Sequence, residues 1–313
     1  MTGKQIDVLL AAYNGAPWLA EQLDSLAQQD DGCFQVLLQD DGSSDETPAL
    51  LRARCERDSR FHMASEQGRH LGAIQNFLSL MRQSDAPYSA LCDQDDRWLP
   101  RRLSACRAAM ERAEQELGAD TPVLVHSDAR VTDEQGRVLY ESFFAHQGWN
   151  FTATTLKRLL VQNNVTGCTT LMNAALRKQV CDLAMGQKLY MHDWFIALTA
   201  AAMGRVIFVN EPLVCYRQHG TNVMGASTEG EVQRGVRMLG SLQRGRDRML
   251  LTYDHTRMFL SAVQAEAPEE SLKVLERYLA TQRMGKLRRV WTVQREGYTM
   301  QSLVTRVGQV LLG

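Results

Sequence analysis

The sequence predicts an α/β fold with a mostly parallel sheet, followed by a helical C-terminal extension. Short apolar runs, which are typical of buried strands, alternate with stretches of helical spacing through the first two thirds of the chain. Several of these runs end in polar clusters, and ligands of such sheets bind beyond the carboxyl ends of the strands. From about Glu229 the pattern is helical to the end, interrupted at Pro268 and rich in arginine.

The first strand is predicted at 6–12, where a β-type run stops at the turn formed by Asn14 and Gly15. Pro17 suits the first turn of the helix that follows. Residues 129–150 are expected to be irregular, with a hairpin turn at 134–136 and exposed aromatic side chains. Further strands are predicted at 34–38, 61–64, 89–92, 122–126, 170–172 and 206–209, further helices through 50–51, 74–81 and 192–202, and the exposed aromatics are Phe143, Phe144, Trp149 and Phe151.

The composition limits the possible classes of protein. With 313 residues, 44% of them hydrophobic, the chain can form one large or two modest domains. The net charge of −1 argues against a general affinity for nucleic acid. The charge is uneven: residues 1–225 are acidic, with 21 Lys and Arg against 27 Asp and Glu, and residues 226–313 are basic, with 14 against 9. Seven scattered cysteines without a CxxC pair, and no signal-peptide pattern, predict a cytoplasmic protein with reduced thiols.

Three successive strand ends carry polar side chains that should meet at one edge of the sheet. They are Tyr13 and Asn14, then Asp40 and Asp41, and then Asp93 with its neighbours Asp95 and Asp96. Carboxylates held this close repel one another unless a cation lies between them, and hard oxygen ligands suit Mg²⁺ or Mn²⁺. The alternative for the last cluster is a solvated acidic turn that caps the helix starting near Pro100.

Five motifs in order resemble those of the family 2 glycosyltransferases. They read Ala-Ala-Tyr-Asn-Gly from Ala11, Asp-Asp-Gly-Ser-Ser-Asp-Glu-Thr from Asp40, Asp-Gln-Asp-Asp-Arg-Trp from Asp93, His-Asp-Trp from His192 and Tyr-Arg-Gln-His-Gly-Thr-Asn from Tyr216. The resemblance implies an inverting enzyme with a single Rossmann-like nucleotide-sugar domain over 1–225, followed by a basic helical extension over 226–313. The third and fifth motifs are closest in form to the rhamnosyltransferases of surface polysaccharides.

The resemblance also implies roles for single residues. Asp193 would be the catalytic base, although an Asp that begins a helix is also an ordinary N-cap. His192 would orient Asp193 or simply pack beside it. Trp98 would be a platform beneath the acidic loop. The nucleotide side comprises Ala12, Tyr13, Asn14, Asp41, Asp93 and Arg217, and the acceptor side comprises Gly167, Cys168, Thr169, His192 and Trp194.

The implied metal ligands are Asp95 directly, Asp93 through water, and His219, with Mg²⁺ or Mn²⁺ as the cofactor. Asp96 would support these ligands or cap the next helix. Each role has a plainer alternative: a packed aromatic for Tyr13, an Asx turn for Asp41, a surface salt bridge for Arg217 and a loop residue without a ligand for His219. Cys168 is expected to pack as a small residue, and His62, His70, His126 and His146 to be structural or exposed.

The implied function is transfer of a sugar from a dTDP- or UDP-linked donor, with dTDP-rhamnose as one candidate, to a saccharide or lipid-linked saccharide. The loop 141–151 is a candidate gate for that acceptor. Two rival hypotheses are a sugar-phosphate nucleotidyltransferase, disfavoured because the first loop has no Gly-rich basic form, and a non-catalytic nucleotide-sugar-binding protein.

The basic tail interleaves arginines with apolar residues, which allows two interpretations. An amphipathic basic helix can lie on the anionic inner face of a membrane. Alternatively, the helices pack on the domain as a cap with a solvated arginine face, or form a homodimer contact. The residues involved include Arg234, Arg237, Met238, Leu239, Leu242, Arg244, Arg246, Arg248, Lys286, Arg288, Arg289 and Trp291.

Overall fold

The computed structural model describes residues 3–64, 70–220 and 242–312. Its described part contains one nine-stranded mixed sheet in the order β3-β2-β1-β4-β8-β6-β9-β5, with β7 paired to β6. The strands are β1 Ile6–Ala12, β2 Phe34–Asp40, β3 Phe61–Met63, β4 Tyr88–Asp93, β5 Arg97–Trp98, β6 Val123–Thr132, β7 Val138–Tyr140, β8 Thr170–Asn173 and β9 Arg205–Arg217. The helices of the domain are α1 Ala16–Ala27, α2 Thr47–Arg57, α3 Ala73–Gln83, α4 Arg102–Leu117, α5 Phe143–Gln147, α6 Leu156–Val161, α7 Ala174–Leu183 and α8 His192–Met203.

The first four strands form the parallel half of the sheet, as predicted. β1 pairs in parallel with both β2 and β4, and β2 pairs with β3. In this register Ala12 lies opposite Asp40, and Ala11 lies opposite Asp93. The three polar strand ends therefore converge on one edge of the sheet, because parallel strands end together.

The second half of the sheet is mixed and more regular than predicted. Residues 129–150 are not irregular: β6 continues to Thr132, and β7 returns antiparallel to it through the predicted turn at 134–136. β9 is likewise a single strand of 13 residues, much longer than the predicted 206–209. Register shifts between Ser127 and Ala129 accommodate Pro212, which cannot donate a ladder hydrogen bond.

Two of the aromatic residues predicted to be exposed are buried. Phe143 and Phe144 begin α5, where their backbone N–H groups donate to the buried carboxylate of Asp128. Both rings pack against Trp149. The prediction was wrong because the short helix turns both rings inward; Phe151 is exposed, as expected.

Four helices form the described part of the C-terminal extension: α9 Leu242–Val263, α10 Glu269–Thr281, α11 Lys286–Glu296 and α12 Leu303–Leu312. Pro268 precedes α10, so the predicted interruption is confirmed. The Phe259 ring packs on Phe195 of α8, and the Ser271 hydroxyl donates to the carbonyl of Ala202 at 2.6 Å. The extension thus shares the hydrophobic core on one face of the sheet with α3 and α8.

Part of the predicted tail cannot be compared. The boundary at 225/226 and the tail residues Arg234, Arg237, Met238 and Leu239 lie outside the described residues. From Leu242 onward the helices form a cap packed on the domain, which is one of the two arrangements expected from the sequence. Within the described ranges, no helix combines the length and apolar character needed to cross a bilayer.

Candidate active site

Hydrogen bonds join the loop after β1 to the loop after β2. Asn14, the one described non-glycine residue with a positive φ (49°), donates its backbone N–H to Ser43 Oγ at 2.8 Å. Its side-chain Oδ1 accepts the backbone N–H of Ser44 at 2.9 Å. The side chain of Asn14 therefore fixes the loop conformation and is engaged with the protein itself.

Gln94, the residue between Asp93 and Asp95, binds the backbone of Tyr13 at both polar groups. Its Oε1 accepts the Tyr13 N–H at 2.7 Å, and its Nε2 donates to the Tyr13 carbonyl at 2.9 Å. A Cβ at Gly15 would lie 2.1 Å from Gln94 Oε1, so a larger residue there would displace the Gln94 side chain from Tyr13. The acidic motif and the first loop are thus joined directly, a contact that the sequence analysis did not identify.

Asp40 and Asp41 have different partners. Asp40 accepts the backbone N–H groups of Gly42 and Ser43, which is the Asx-turn arrangement that was the alternative for Asp41. The buried Asp41 carboxylate accepts the N–H groups of Leu71 and Gly72 at 2.6 and 2.7 Å. Ala12, beside them at the end of β1, is buried.

His70 lies in this part of the site, although it was expected to be structural or exposed. Its Nδ1 is 3.0 Å from a carboxylate oxygen of Asp41, and its ring contacts Tyr13 at a centroid distance of 4.4 Å. The Tyr13 side chain is 44% exposed, so it offers a flat surface to a ligand. No spacing in the sequence links His70 to Asp41 or to Tyr13, so these contacts were not predicted.

The acidic motif is a partly buried turn, in which Asp93, Gln94 and Asp95 are half-buried and Asp96 is buried. Burial, with the charges of Asp95 and then Asp193 adding to it, raises the pKa of Asp93 to about 8. Burial likewise raises the pKa of Asp96 well above its usual range. Asp96 accepts the backbone N–H of Arg217 at 3.1 Å and does not cap a helix, because β5 intervenes before α4 begins. Trp98 is buried beneath the loop, as expected.

Donor atoms of Asp93, Asp96 and Cys168 lie within 4.8 Å of one another. The Cys168 thiol is buried and its pKa is raised well above the usual value, first by burial and then by the neighbouring carboxylates. A thiol in this state is a small packing residue and a poor nucleophile, in agreement with the sequence analysis.

His219 lies at the other side of the acidic motif. Its Nε2 is 2.8 Å from Asp95 Oδ2, and its ring stacks on Trp18 of α1 at 4.0 Å. The side chain is only 4% exposed. His219 thus has defined partners, and its role as a metal ligand remains a prediction. Trp18 was missed because it precedes His219 by 201 positions in sequence and shows no pattern of its own.

Arg217 is buried, so the expected alternative of a surface salt bridge is also wrong. Its guanidinium pairs with Glu21 at 2.5 Å and donates to the backbone carbonyls of Asp95 and Glu134, both at 2.8 Å. These bonds hold the acidic motif against α1 and the β6–β7 turn. The diphosphate contact expected for Arg217 remains a prediction.

Asp193 stands in the first turn of α8, one residue after the helix begins, while the N-cap position is Met191. It accepts the backbone N–H of Trp194 at 2.6 Å and that of Gly167. Burial raises the pKa of Asp193 to about 7 despite these bonds. A carboxylate with this pKa can both take and release a proton near neutral pH.

Of the remaining acceptor-side residues, His192 and Gly167 lie beside Asp193, and Thr169 is buried. His192 stacks on Phe77 at 4.6 Å, and burial lowers its pKa to about 4, so the ring is neutral. A Cβ at Gly167 would lie 3.2 Å from His192 Nε2 and 3.7 Å from Asp193 Cβ, so Gly167 lies beside both residues. Thr169 is buried, with its hydroxyl donating to the Thr166 carbonyl at 2.7 Å.

Trp194 lies away from this surface. Its Nε1 donates to the carbonyl of Leu159 at 2.7 Å, and its ring packs edge-on against His255 of α9 at 4.4 Å. The side chain is buried between the domain and the extension. The first turn of α8 therefore places Asp193 in the site and the next residue, Trp194, in the core.

The donor set fits a divalent cation. Asp93 and Asp95 offer carboxylate oxygens, His219 offers an imidazole nitrogen, and the two partly buried carboxylates repel each other. Mg²⁺ and Mn²⁺ bind such oxygen-rich sets and relieve that repulsion. In the described structure His219 is paired with Asp95, an arrangement that suits ligation or orientation of the carboxylate.

Two known proteins are similar to this chain in sequence. The dTDP-rhamnosyl transferase RfbG of Shigella flexneri is 25% identical over 232 residues, which are 70% of this chain and 74% of RfbG. The putative glycosyltransferase EpsH of Bacillus subtilis is 22% identical over 226 residues, 70% of this chain and 62% of EpsH.

Solved structures show the same fold. TarS of S. aureus, crystallised with UDP-GlcNAc, has a TM-score of 0.56 at 16% identity and covers 98% of this chain and 89% of its own. The mannosyltransferase PcManGT from Pyrobaculum calidifontis, in complex with GDP-Man and Mn²⁺, has a TM-score of 0.52 at 16% identity, over 94% and 73% of the two chains.

The family model for glycosyl transferase family 2 matches residues 7–182. This match spans the first and second loops and the acidic motif, and it ends before Asp193 and His219. The matched range is more than half of the chain and contains the parallel strands β1 to β4 except Ile6. The chain therefore belongs to glycosyl transferase family 2 and is a glycosyltransferase.

Proposed function

We propose that this enzyme transfers a sugar, with inversion, from a nucleoside diphosphate donor to a hydroxyl of a saccharide or lipid-linked saccharide. The observation that carries the proposal is Asp193, a half-buried carboxylate with its pKa raised to about 7, close enough to Asp93 to raise the pKa of that group. An acid–base group thus lies beside the acidic motif at the end of β4. A non-catalytic nucleotide-sugar-binding protein would not need an acid–base group at this place.

In the proposed step, ionised Asp193 accepts the proton of the acceptor hydroxyl. The acceptor oxygen forms the new bond to the anomeric carbon while the bond from that carbon to the diphosphate breaks on the opposite face. The N–H groups of Trp194 and Gly167 hold the carboxylate in place. Neutral His192, stacked on Phe77, restricts the space beside it.

Asp93, Asp95 and His219 would hold a divalent cation, Mg²⁺ or Mn²⁺, which when bound neutralises the charge of the departing diphosphate. Gln94 and the first loop support this part of the site by fixing the backbone of Tyr13. Tyr13 and Asp41 would contact the base and ribose, with His70 closing one side.

The proposed donor is dTDP-rhamnose, supported by the similarity to RfbG and by the motif forms around Asp93 and His219. The UDP and GDP ligands of TarS and PcManGT keep other nucleotide sugars as candidates. All seven cysteines are free of disulfides, in agreement with the reducing cytoplasm in which we expect the enzyme to act.

The test is release of nucleoside diphosphate from dTDP-rhamnose, UDP- and GDP-sugars, with Mn²⁺ or with a chelator. We expect release that requires the metal and falls about 10³-fold in Asp193→Asn, within the range for loss of a general base. Asp182→Asn, on α7 and paired with Lys178, is the matched control and should retain full activity. Undiminished turnover in Asp193→Asn would exclude this residue as the base, and stable donor binding without turnover of any acceptor would favour a binding protein.

A further inference from the structure

The outer face of the extension carries apolar side chains on α11 and α12. On α11, Leu287 is 87% exposed and Trp291, one helical turn later, is 58% exposed. On α12, Val307 and Val310 are also exposed and lie one turn apart. These four side chains are called the Trp291 surface. Large apolar residues clustered in this way mark a surface that binds a partner.

A groove of about 630 Å³ runs between the two helices. Leu287, Val290 and Trp291 of α11 and Val310 of α12 line it, together with the polar side chains of Lys286, Gln294 and Arg295. The amphipathic pattern of α11 continues on its inner side with buried Val293, so the helix has two apolar faces. The inner one belongs to the core, and the outer one is the Trp291 surface.

The charges around the Trp291 surface are basic. Lys286, Arg288 and Arg295 are exposed on α11, and the guanidinium of Arg295 lies 4.7 Å above the Trp291 ring. The one acidic residue of α11, Glu296, lies within 4 Å of Lys157 and Arg277, and α12 contains no Asp or Glu. A partner that complements the Trp291 surface therefore carries negative charge next to an apolar region.

The extension is anchored to the elements that carry the acceptor side of the site. Arg158 of α6 donates to the carbonyl of Thr299 at 2.9 Å, just before α12. The neighbouring Leu159 carbonyl accepts the Nε1–H of Trp194, the residue after Asp193. Because these bonds connect the extension to α6 and α8, the Trp291 surface has a fixed position relative to the acceptor side of the site.

We propose that the Trp291 surface docks this enzyme on an anionic lipid bilayer. Trp291 and Leu287 enter the boundary between headgroups and acyl chains, and Lys286, Arg288 and Arg295 contact anionic headgroups. The charge and the apolar groove together match this partner better than they match a second copy, whose identical patch would bring like charges together. The inference is independent of the sugar and the metal.

The test is co-sedimentation of the full chain with phosphatidylcholine vesicles, with and without about 30% phosphatidylglycerol. We expect binding to the anionic vesicles only, and loss of that binding at high salt. Each of Arg288→Gln and Arg295→Gln should weaken vesicle binding about fivefold, and Leu287→Ser with Trp291→Ser should abolish it. Arg257→Gln, on α9, is the matched control and should bind as the parent does.

Melting temperature and nucleotide release are measured for each variant, so that misfolding is recognised. Asp193→Asn should bind vesicles normally, which separates failure of this inference from failure of the proposed function. Equal binding to neutral vesicles, or unchanged binding by the Leu287→Ser, Trp291→Ser variant, would overturn the proposal. So would a concentration-dependent dimer that the same variant dissociates, because the occupant would then be a second copy.

Discussion

The two sides of the active site are built by different physical means. On the nucleotide side, side-chain amides and carboxylates bond to backbone groups of neighbouring loops, as Gln94 does with Tyr13 and Asp41 with Leu71 and Gly72. On the catalytic side, Asp93 and Asp193 are crowded and half-buried, and their pKa values rise to about 8 and about 7. Satisfied hydrogen bonds make the nucleotide side rigid. The raised pKa values on the catalytic side give carboxyl groups that can gain or lose a proton near neutral pH.

The largest expected effect that separates the two sides is the pH dependence of turnover. Asp193 acts as a base only when ionised, and its raised pKa of about 7 means that it becomes protonated as the pH falls through neutrality. With metal and donor saturating, turnover should drop about tenfold per pH unit below 7, or about 100-fold at pH 5. The measurement is kcat from pH 5 to 9, with donor binding followed in parallel.

Donor affinity is the control for this profile, because the nucleotide side is held by hydrogen bonds between backbone and side chains. We expect it to change little over the range in which turnover falls. If kcat were flat between pH 5 and 7, Asp193 would have an ordinary pKa in the working enzyme, and the contrast between the two sides would fail.

A second prediction concerns His219, which links the metal side to α1. His219→Gln removes the imidazole that pairs with Asp95 and stacks on Trp18. We expect the affinity for Mn²⁺ to fall about 10- to 100-fold, as when ligands or their orienting partners are removed. Mn²⁺ titration by calorimetry gives the affinity directly.

His146→Gln is the matched control, because this histidine also stacks on an aromatic ring, that of Tyr140, outside the acidic motif. It should leave the Mn²⁺ affinity unchanged. Equal Mn²⁺ affinities for His219→Gln and the parent would remove His219 from the metal site and leave it as a residue that packs on Trp18.

A third prediction concerns Gln94 on the nucleotide side. Gln94→Met removes both hydrogen bonds to the Tyr13 backbone at similar volume. At about 1 kcal/mol for each bond, the KM for the donor should rise about tenfold, with little change in kcat. Gln94→Glu retains an acceptor for the Tyr13 N–H but loses the donor to its carbonyl, so it should be intermediate.

The Gln94 variants are measured by steady-state kinetics with varied donor, beside Gln83→Met as a control that lies on α3. A fall in kcat at constant KM would instead place Gln94 with the catalytic side. That result would mean that the acidic motif, and not the first loop, depends on this amide.

The sequence predicted the parallel half of the sheet well because local patterns determine it. Apolar runs gave β1, β2 and β4, and parallel pairing then required Ala12, Asp40 and Asp93 to end together. The longer β9 was missed because its bulges at Pro212 interrupt the pattern that the runs follow. Turns defined by sequence, such as 134–136, were recovered for the same local reason.

Contacts between distant segments could not be predicted. Trp18 beneath His219, Glu21 paired with Arg217 and His70 beside Asp41 are each unremarkable in sequence. These pairs form only because the fold brings distant segments together, so no spacing in the sequence predicts them. The same reason explains why neither of the two roles considered for Arg217, a diphosphate contact or a surface salt bridge, predicted its bonds to the backbone carbonyls of Asp95 and Glu134.

The smallest expected effect concerns Trp194, which the motif placed on the acceptor side and the structure places in the core. Trp194→Phe keeps the ring packing against His255 but loses the hydrogen bond to the Leu159 carbonyl. We expect a loss of about 1 kcal/mol in the free energy of unfolding and less than about a threefold change in the KM for the acceptor. Denaturant unfolding and acceptor-dependent kinetics measure the two quantities. A large rise in the acceptor KM without loss of stability would show that Trp194 contacts the acceptor after all, and the division between its anchoring role and the catalytic role of Asp193 would have to be withdrawn.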